Sequence, residues 1–250
     1  MSISIKINSK SYQNKKANIL ALKKIDIFLN SKEFVCIVGP SGCGKTTLMN
    51  IIGGLIKAEK QEILIDGEPI NNKSSLGYVF QTSRLMPWLT LYENIELVCE
   101  SKNEKIKKKI KSILKNFDLK EFIDSYPNSI SGGMRRKVSL ARAVVNEPKV
   151  LLMDEPFVSL DQPTTENLYN VLINYWNKNP TTILFITHNL KEALLLGDRV
   201  LFFSKRPGEI VLDYKVKSKR NPLRTDNIEI ENEYVQLKKK HPNLLKGLIV

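Results

Sequence analysis

The chain has 250 residues, of which 42% are hydrophobic, so it can bury a sizeable core. Its three cysteines are odd in number and scattered, so neither a disulfide framework nor a zinc site is indicated. No segment approaches the roughly 18 consecutive apolar residues of a membrane-spanning helix, and residues 1–6 lack the apolar core of a secretory signal; we therefore expect a cytosolic protein. The net charge of +13 leaves nucleic acid, anionic lipid and a solvated basic surface open as explanations.

The first element is a strand, a glycine-rich loop and a helix in immediate succession. Residues 34–38 form an apolar, partly β-branched run typical of a buried parallel strand, and residues 47–52 suit a helix packed on a sheet. Between them, residues 39–46 match G-x-x-x-x-G-K-[ST], whose backbone N–H groups surround a phosphate chain. A plain glycine-rich turn is the alternative, but the order strand, loop, helix favours a nucleotide site.

Each residue type in this loop has a chemical purpose. Glycines let the backbone approach a phosphate and adopt φ values that side chains restrict. The Lys45 ammonium would contact the outer phosphates, and the Thr46 hydroxyl would hold Mg²⁺. The residues that we predict to bind the nucleotide here are Gly39, Pro40, Ser41, Gly42, Cys43, Gly44, Lys45, Thr46 and Thr47.

The middle of the chain is mainly helical. Residues 63–68 predict a strand that runs into a turn, and the helical pattern extends from about residue 85 to residue 147. Within it, residues 105–117 place isoleucine, leucine and phenylalanine on one helix face and lysines on the other. We interpret the basic face as solvated surface; an anionic membrane is the first alternative, and nucleic acid the second.

Residues 131–133, Ser-Gly-Gly, precede a good helical sequence at residues 134–143. Exposed amides at the positive end of a helix form a second candidate phosphate-binding device. Considered locally, Ser131 is equally well an ordinary N-cap.

Two further strands end in chemically active residues. Residues 150–153 are followed by Asp154 and Glu155, and acids at the carboxyl end of a strand face the ligand crevice of open α/β sheets. Asp154 suits water-mediated Mg²⁺ binding, and Glu155 suits a general base that prepares water for attack on the γ-phosphorus. Taken alone, the pair could simply cap a strand. His188 follows the apolar strand 183–187 and would contact the γ-phosphate, with a structural histidine as the alternative.

The remaining elements are short. Residues 200–203 and 210–213 predict strands, with Arg206-Pro207-Gly208 at the turn between them. Beyond residue 217 the chain is polar and charged, with a short helix predicted at residues 234–240.

Taken together, these motifs resemble the ATP-binding subunit of an ABC transporter, over nearly the whole chain. The resemblance rests on the phosphate loop, the signature at residues 130–134, the acidic pair after the strand at residue 153, and Thr187-His188. It implies an α/β fold: a P-loop NTPase core with a mainly parallel sheet, an antiparallel β edge subdomain and a helical insertion. We expect one ATPase domain at residues 1–217, with its helical subdomain at about 85–147, and a C-terminal tail at 218–250.

The resemblance also assigns roles and implies ATP and Mg²⁺ as cofactors. Tyr12 would stack on adenine, and Gln81 would reach the metal and the attacking water. Ser131, Gly132 and Gly133 would close over ATP held by a second copy of the chain, and Asp161, in the loop after the acidic pair, would also bind ATP. The implied catalytic residues are Glu155, His188, Gln81 and Lys45. The implied metal ligands are Thr46, Gln81 and Asp154.

Three positions depart from the family pattern. Ile130 stands where leucine is usual, residues 58–62 lack the usual turn glycine, and Asn189 replaces a common aspartate. The catalytic positions are intact, so we expect an active ATPase.

The implied partners are a second copy of the subunit, a membrane permease at the cytoplasmic side of the cell membrane and, indirectly, an extracytoplasmic solute-binding protein; nucleic acid is not expected. Residues 80–90 and 205–210 resemble the importers of nitrate, sulfonate and taurine, so anions are the first expectation and pyrimidine-type vitamin precursors the second. The chain also has an apolar cluster at residues 85–89, which would be costly to expose in a soluble monomer. The resemblance implies that it is a permease-docking groove anchored by Trp88; packing inside this chain's own helical region is the alternative.

Two other classes share this fold. Chromosome-type ATPases carry a long coiled coil between the phosphate loop and the signature, and ribosome-type members usually carry two sets of motifs; this sequence has neither feature. A non-catalytic scaffold would have lost Glu155 or His188, which are both present.

Overall fold

The computed structural model describes residues 2–14, 17–69, 76–218 and 228–248. They form two compact units, one of Met1–Lys73 with Thr182–Val250 and one of Ser74–Thr181. The division into an ATPase domain at 1–217, a helical subdomain at 85–147 and a tail stays a prediction. Residues 219–227 and 249–250 of the predicted tail lie outside the described residues.

Strands and helices alternate along the described chain. The strands are β1 (Ile3–Asn14), β2 (Ala17–Leu29), β3 (Phe34–Val38), β4 (Lys60–Ile65), β5 (Glu68–Pro69), β6 (Leu76–Val79), β7 (Val150–Asp154), β8 (Thr182–Thr187), β9 (Arg199–Phe203) and β10 (Ile210–Lys215). The helices are α1 (Lys45–Ile52), α2 (Leu91–Glu96), α3 (Glu104–Asn116), α4 (Gly132–Val144), α5 (Gln162–Lys178), α6 (Leu190–Leu196) and α7 (Ile228–Lys240). No helix among these described residues is long and apolar enough to cross a membrane.

The first unit contains an antiparallel sheet in the order β2-β1-β4-β5. Alternate residues of β1, namely Ile3, Ile5 and Ile7, are buried, because a strand with one covered face alternates apolar and polar side chains. Ile5 pairs with Ile27 on β2 and with Ile63 on β4. This sheet is the antiparallel edge region that the family resemblance implies.

The same unit contains parallel strands with both faces covered. Strand β3 pairs in parallel with β8 and with β9, and β10 runs antiparallel to β9. Every residue of β3 and β8 is buried, which is the reason that their sequences are continuous apolar runs. Thr187 at the end of β8 pairs with Val38 at the end of β3, so both strands end at the same edge.

The second unit pairs β6 with β7 in parallel and holds the helices α2 to α5. Helix α3 buries Ile110, Ile113 and Leu114, as its spacing predicts. Two of its lysines pair with acids, Lys107 with Glu104 at 2.7 Å and Lys109 with Glu147 at 2.7 Å. The others on its outer face are exposed to solvent.

The C-terminal helix α7 belongs to the first unit and begins six residues before the predicted short helix. Its buried Glu233 accepts hydrogen bonds from the Tyr214 hydroxyl at 2.7 Å and from the backbone N–H groups of Lys217 and Ser218 at 2.8 and 2.9 Å. Lys191 on α6 also pairs with Glu231 at 2.7 Å. Polar contacts thus fix a helix whose sequence has only a weak apolar stripe.

Candidate functional site

The phosphate loop joins β3 to α1. Gly42 and Gly44 have φ values of +72° and +110°, which side chains rarely adopt. A Cβ atom on Gly44 would also lie 2.8 Å from the Ala21 carbonyl oxygen of β2, so space excludes a side chain there as well. The loop therefore leads directly into the N-terminus of α1, whose first N–H groups have no intrahelical acceptor and can bind an anion.

Lys45 is only 6% exposed. Its Nζ donates hydrogen bonds to the carbonyl oxygens of Gly39 at 2.8 Å and Pro40 at 2.9 Å, and lies 3.7 Å from the Cys43 sulfur. These acceptors are the neutral carbonyl oxygens of the loop itself. A phosphate oxygen is a stronger partner for a desolvated cation than a carbonyl oxygen.

The loop is braced from outside by the turn between β9 and β10. Arg206 donates from Nε and Nη2 to the Gly42 carbonyl oxygen at 3.1 and 2.9 Å. A Cβ atom on Gly208 would lie 2.3 Å from the Cys43 carbonyl oxygen. Farther along, the Lys205 N–H donates to the Gly247 carbonyl oxygen at 2.9 Å, and a Cβ atom on Gly247 would lie 2.8 Å from Pro40.

Sequence reasoning missed these supports. The sequence predicts only a turn at residues 206–208. The resemblance of residues 205–210 to importer sequences does not indicate a contact with the phosphate loop. Nothing in the sequence around Gly247 indicates a contact with the phosphate loop.

Tyr12, the predicted adenine-stacking residue, lies beside the start of α1. Its hydroxyl is 3.3 Å from the Thr47 hydroxyl, and the Lys10 ammonium is 5.2 Å from its ring centre. The side chain is 42% exposed, so it is accessible to a ligand. The structure therefore brings Tyr12 and the phosphate loop together.

His188 leaves β8 at the edge where the phosphate loop leaves β3, because the two strands are parallel neighbours. It is exposed. Asn189, the departure from the usual aspartate, caps α6: its Oδ1 accepts hydrogen bonds from the N–H groups of Lys191 at 3.0 Å and Glu192 at 3.3 Å. An amide oxygen serves this purpose as a carboxylate would.

In the second unit, Gln81 and the acidic pair share a sheet edge. Val79 on β6 pairs in parallel with Met153 on β7, so the residues that follow each strand leave from the same side. Asp154 is 4% exposed and Glu155 is partly exposed. Glu155 has φ +43°, a strained value for a residue with a side chain and one that often occurs at active sites.

Burial also affects the titration of the neighbouring Tyr78. Burial raises its pKa, and the negative charge of Asp154 raises it further. The Tyr78 ring stacks on the Phe80 ring with centres 4.0 Å apart. A stacked aromatic pair therefore lies near the Asp154 carboxylate.

Ser131 is the N-cap of α4, because its Oγ accepts a hydrogen bond from the Met134 N–H at 3.2 Å. A Cβ atom on Gly133 would lie 2.5 Å from the Thr164 methyl group, whereas on Gly132 the nearest atom would be 3.8 Å away. Packing therefore requires glycine at residue 133 but not at residue 132.

Asp161 caps α5. Its two carboxylate oxygens accept hydrogen bonds from the Thr164 N–H at 2.9 Å and the Thr164 hydroxyl at 2.8 Å. The hydrogen bond from the Thr164 backbone lowers the pKa of Asp161, with the hydroxyl adding to the effect. Asp161 and Gly133 thus share Thr164 as a neighbour, although the predicted contact of Asp161 with ATP stays a prediction.

The sequence profile of the family described as "ABC transporter" matches residues 22–158, more than half of the chain. The chain belongs to the ABC transporter family. ATP binding, ATP hydrolysis and the P-loop ABC ATPase fold are thereby confirmed. The ABC ATPase brings together Tyr12, the phosphate loop and His188 in one unit. In the other it brings together Gln81, Asp154 and Glu155 at one sheet edge.

Individual relatives confirm the predicted likeness to sulfonate and nitrate importers. The aliphatic sulfonates import ATP-binding protein SsuB of Bacillus thuringiensis subsp. konkukian is 42% identical over 224 residues, which cover 88% of this chain and 89% of that protein. The nitrate import ATP-binding protein NrtD of Synechocystis sp. is 35% identical over 244 residues, covering 94% and 92%. The ATP-binding cassette MJ0796, solved as a dimer in a post-hydrolysis state with ADP and Pi, has a TM-score of 0.76 and 32% identity, and covers 87% of this chain and 100% of that one.

Proposed function

We propose that this ABC ATPase works as a homodimer at the cytoplasmic side of the membrane and powers the import of a small anion through a separate permease. An extracytoplasmic solute-binding protein delivers the anion to that permease. The sulfonate and nitrate importer subunits that cover nearly all of the chain support an anionic solute. The observation that best supports a permease partner is the exposure of the Trp88 side chain.

Trp88 is 70% exposed and lies on a loop whose backbone is hydrogen-bonded to Asn94 of α2. The buried Asn94 accepts a hydrogen bond from the Met86 N–H at 2.8 Å and donates to the carbonyl oxygens of Met86, Leu89 and Thr90 at 3.1, 3.0 and 2.9 Å. The exposure of Trp88 supports docking over packing of this side chain inside the chain's own helical region, whereas Leu85, Met86 and Leu89 of the same cluster are half-buried.

Further aromatic side chains lie close to this loop. The Leu91 and Tyr92 N–H groups, just after it, donate to the carbonyl oxygens of Ser125 and Ile123 at 2.9 and 3.1 Å. The segment around these acceptors carries two more exposed rings, Phe122 and Tyr126. Exposed aromatic side chains such as Trp88, Phe122 and Tyr126 are the residue types that often anchor a protein partner.

The residues assigned to Mg²⁺ are chemically suited to it. Thr46, Asp154 and Gln81 offer a hydroxyl, a carboxylate and an amide oxygen, and hard oxygen ligands are what Mg²⁺ prefers. Asp154 is buried at the end of a strand, where a carboxylate can point at a cation with little competition from water. When bound, Mg²⁺ would neutralise charge on the phosphate oxygens.

The chain's own residues then have distinct tasks in hydrolysis. Lys45 holds the phosphate chain, Glu155 takes a proton from the attacking water, and His188 contacts the γ-phosphate. The signature that begins α4 closes over ATP bound to the second copy. Each copy therefore supplies part of the other's site.

The test of the permease partner is the substitution Trp88→Ala, with Phe28→Ala as a matched control, since Phe28 is an exposed aromatic residue on β2. Loss of a central aromatic anchor should weaken permease binding by about 2 kcal/mol, or roughly 30-fold in Kd, with melting temperature and ATP affinity unchanged. The measurement is the affinity for a membrane permease of the sulfonate or nitrate importer type, reconstituted with this subunit. Equal affinity of wild type and Trp88→Ala would reject this docking surface.

A further inference from the structure

Two arginines of the signature helix α4 hold the loop that contains Gln81. Arg136 donates from Nη1 to the Phe80 carbonyl oxygen at 2.6 Å and from Nη2 to the Gln81 carbonyl oxygen at 2.5 Å. Arg142 donates in the same way to the carbonyl oxygens of Ser83 at 2.9 Å and Arg84 at 2.8 Å. We call residues 80–84 the Gln81 loop.

This arrangement fixes the loop at both ends. The loop has neither helical nor strand hydrogen bonding, so its carbonyl groups take their donors from side chains. A guanidinium presents its donors in a rigid planar fork, which matches two neighbouring carbonyl oxygens in one orientation. Each fork therefore restrains two peptide units at once.

Arg136 makes these bonds from a buried position. It is nearly inaccessible to solvent, and burial lowers its pKa to about 10. A buried cation is costly unless it is hydrogen-bonded, and the partners here are carbonyl oxygens of the loop. The guanidinium therefore depends on the Gln81 loop staying in place, just as the loop depends on the guanidinium.

Side-chain stacking secures the same loop on its other side. The Arg84 guanidinium lies 3.8 Å from the centre of the Phe80 ring, and that ring stacks on Tyr78 of β6. The loop is thus attached both to the strand that precedes it and to α4. The signature residue Ser131, five residues before Arg136, is the N-cap of α4.

We propose that Arg136 is a positioning residue that ties Gln81 to the signature helix, so that the two elements keep a fixed relation during the ATPase cycle. Arg142 anchors the far end of the same loop. Arg136 acts through the backbone of Gln81, whose carbonyl oxygen accepts its hydrogen bond. The inference rests on the proposed function, in which Gln81 reaches the metal and the attacking water.

The decisive experiment is a double-mutant cycle on steady-state ATPase activity. Arg136→Met removes the fork and keeps the apolar length, and should lower kcat about 10- to 100-fold, the scale of a small misplacement of a catalytic group. The KM for ATP should change less than about twofold, since the phosphate loop is untouched. In a Gln81→Ala background, Arg136→Met should lower kcat by less than a further factor of about two.

Two further variants separate positioning from general destabilisation. Arg136→Lys keeps the charge but loses the fork, and should give an intermediate kcat; it replaces Arg136→Met in the cycle if the latter does not fold. Lys137→Met is the matched control, because Lys137 lies on the same helix and pairs with Asp118 at 3.3 Å, away from the Gln81 loop. Its kcat should stay within about twofold of wild type.

The outcomes distinguish the inference from the function on which it rests. A wild-type kcat in Arg136→Met alongside a defective Gln81→Ala would overturn the inference alone. A full 10- to 100-fold further loss in the Gln81→Ala background would likewise reject positioning through Gln81. A wild-type kcat in Gln81→Ala would overturn the proposed role of Gln81 and, with it, the inference.

Discussion

Replacing Glu155 with glutamine tests the proposed catalytic base directly. Glu155→Gln keeps the size of the side chain and its backbone strain at φ +43°, so the fold should be preserved. The amide cannot accept a proton from water at neutral pH. Loss of a general base costs about 10²–10⁴-fold in rate, or roughly 3–5 kcal/mol of activation free energy.

ATP affinity should remain near that of the wild type. The phosphate loop, with Lys45 held by the Gly39 and Pro40 carbonyl oxygens, does not involve Glu155. Because bound ATP is no longer consumed, two copies should stay associated across it. We therefore expect a stable, ATP-dependent dimer in Glu155→Gln only.

The assays are phosphate release for turnover, a fluorescent ATP analogue for affinity, and light scattering with and without ATP for mass. Glu121→Gln is a suitable control, since it removes one exposed carboxylate from a short 3₁₀ helix at Lys120–Phe122. Normal steady-state turnover in Glu155→Gln would remove Glu155 from the catalytic role. Lost ATP affinity would show instead that the substitution damages the nucleotide site.

Three further predictions concern dimer closure and the C-terminal region. Ser131→Arg should block ATP-driven dimerisation in light scattering while each subunit still binds ATP; Ser131→Ala, which loses only the N-cap at a cost of about 1 kcal/mol, should still dimerise. Gly247→Ala should destabilise the fold by about 1–3 kcal/mol more than the control Gly54→Ala. Both glycines have positive φ, but only at Gly247 would the new Cβ atom meet neighbours, one of them Pro40 at 2.8 Å. Equal melting temperatures of the two variants would contradict this prediction. Burial raises the pKa of Glu233, but hydrogen bonds from Ser218, Tyr214 and the backbone lower it by more, so its pKa lies below the ordinary value of a glutamate. Its contribution to stability is therefore present above the ordinary glutamate pKa and is lost as the pH falls through the lowered pKa. Glu233→Gln should flatten the acid limb of a plot of melting temperature against pH.

The chain's local chemistry could be predicted from the sequence because its determinants are contiguous. The phosphate loop takes its geometry from eight successive residues, and the buried strands β3, β7 and β8 are continuous apolar runs. The stripe on α3 and the N-cap at Ser131 likewise depend on spacings within one or two helix turns. The order of these motifs was enough to indicate the ABC family.

Tertiary structure decided which distant groups support the site. Arg136 reads as one more basic residue on a helix, and only the fold places it on carbonyl oxygens 55 and 56 positions away. The contact of Gly247 with Pro40 joins the chain's last helical region to its phosphate loop, across most of the sequence. Helical or strand period tells which face of an element is buried, but not what that face meets. The partners of a hydrogen-bonding side chain are fixed only when the whole chain has folded around it.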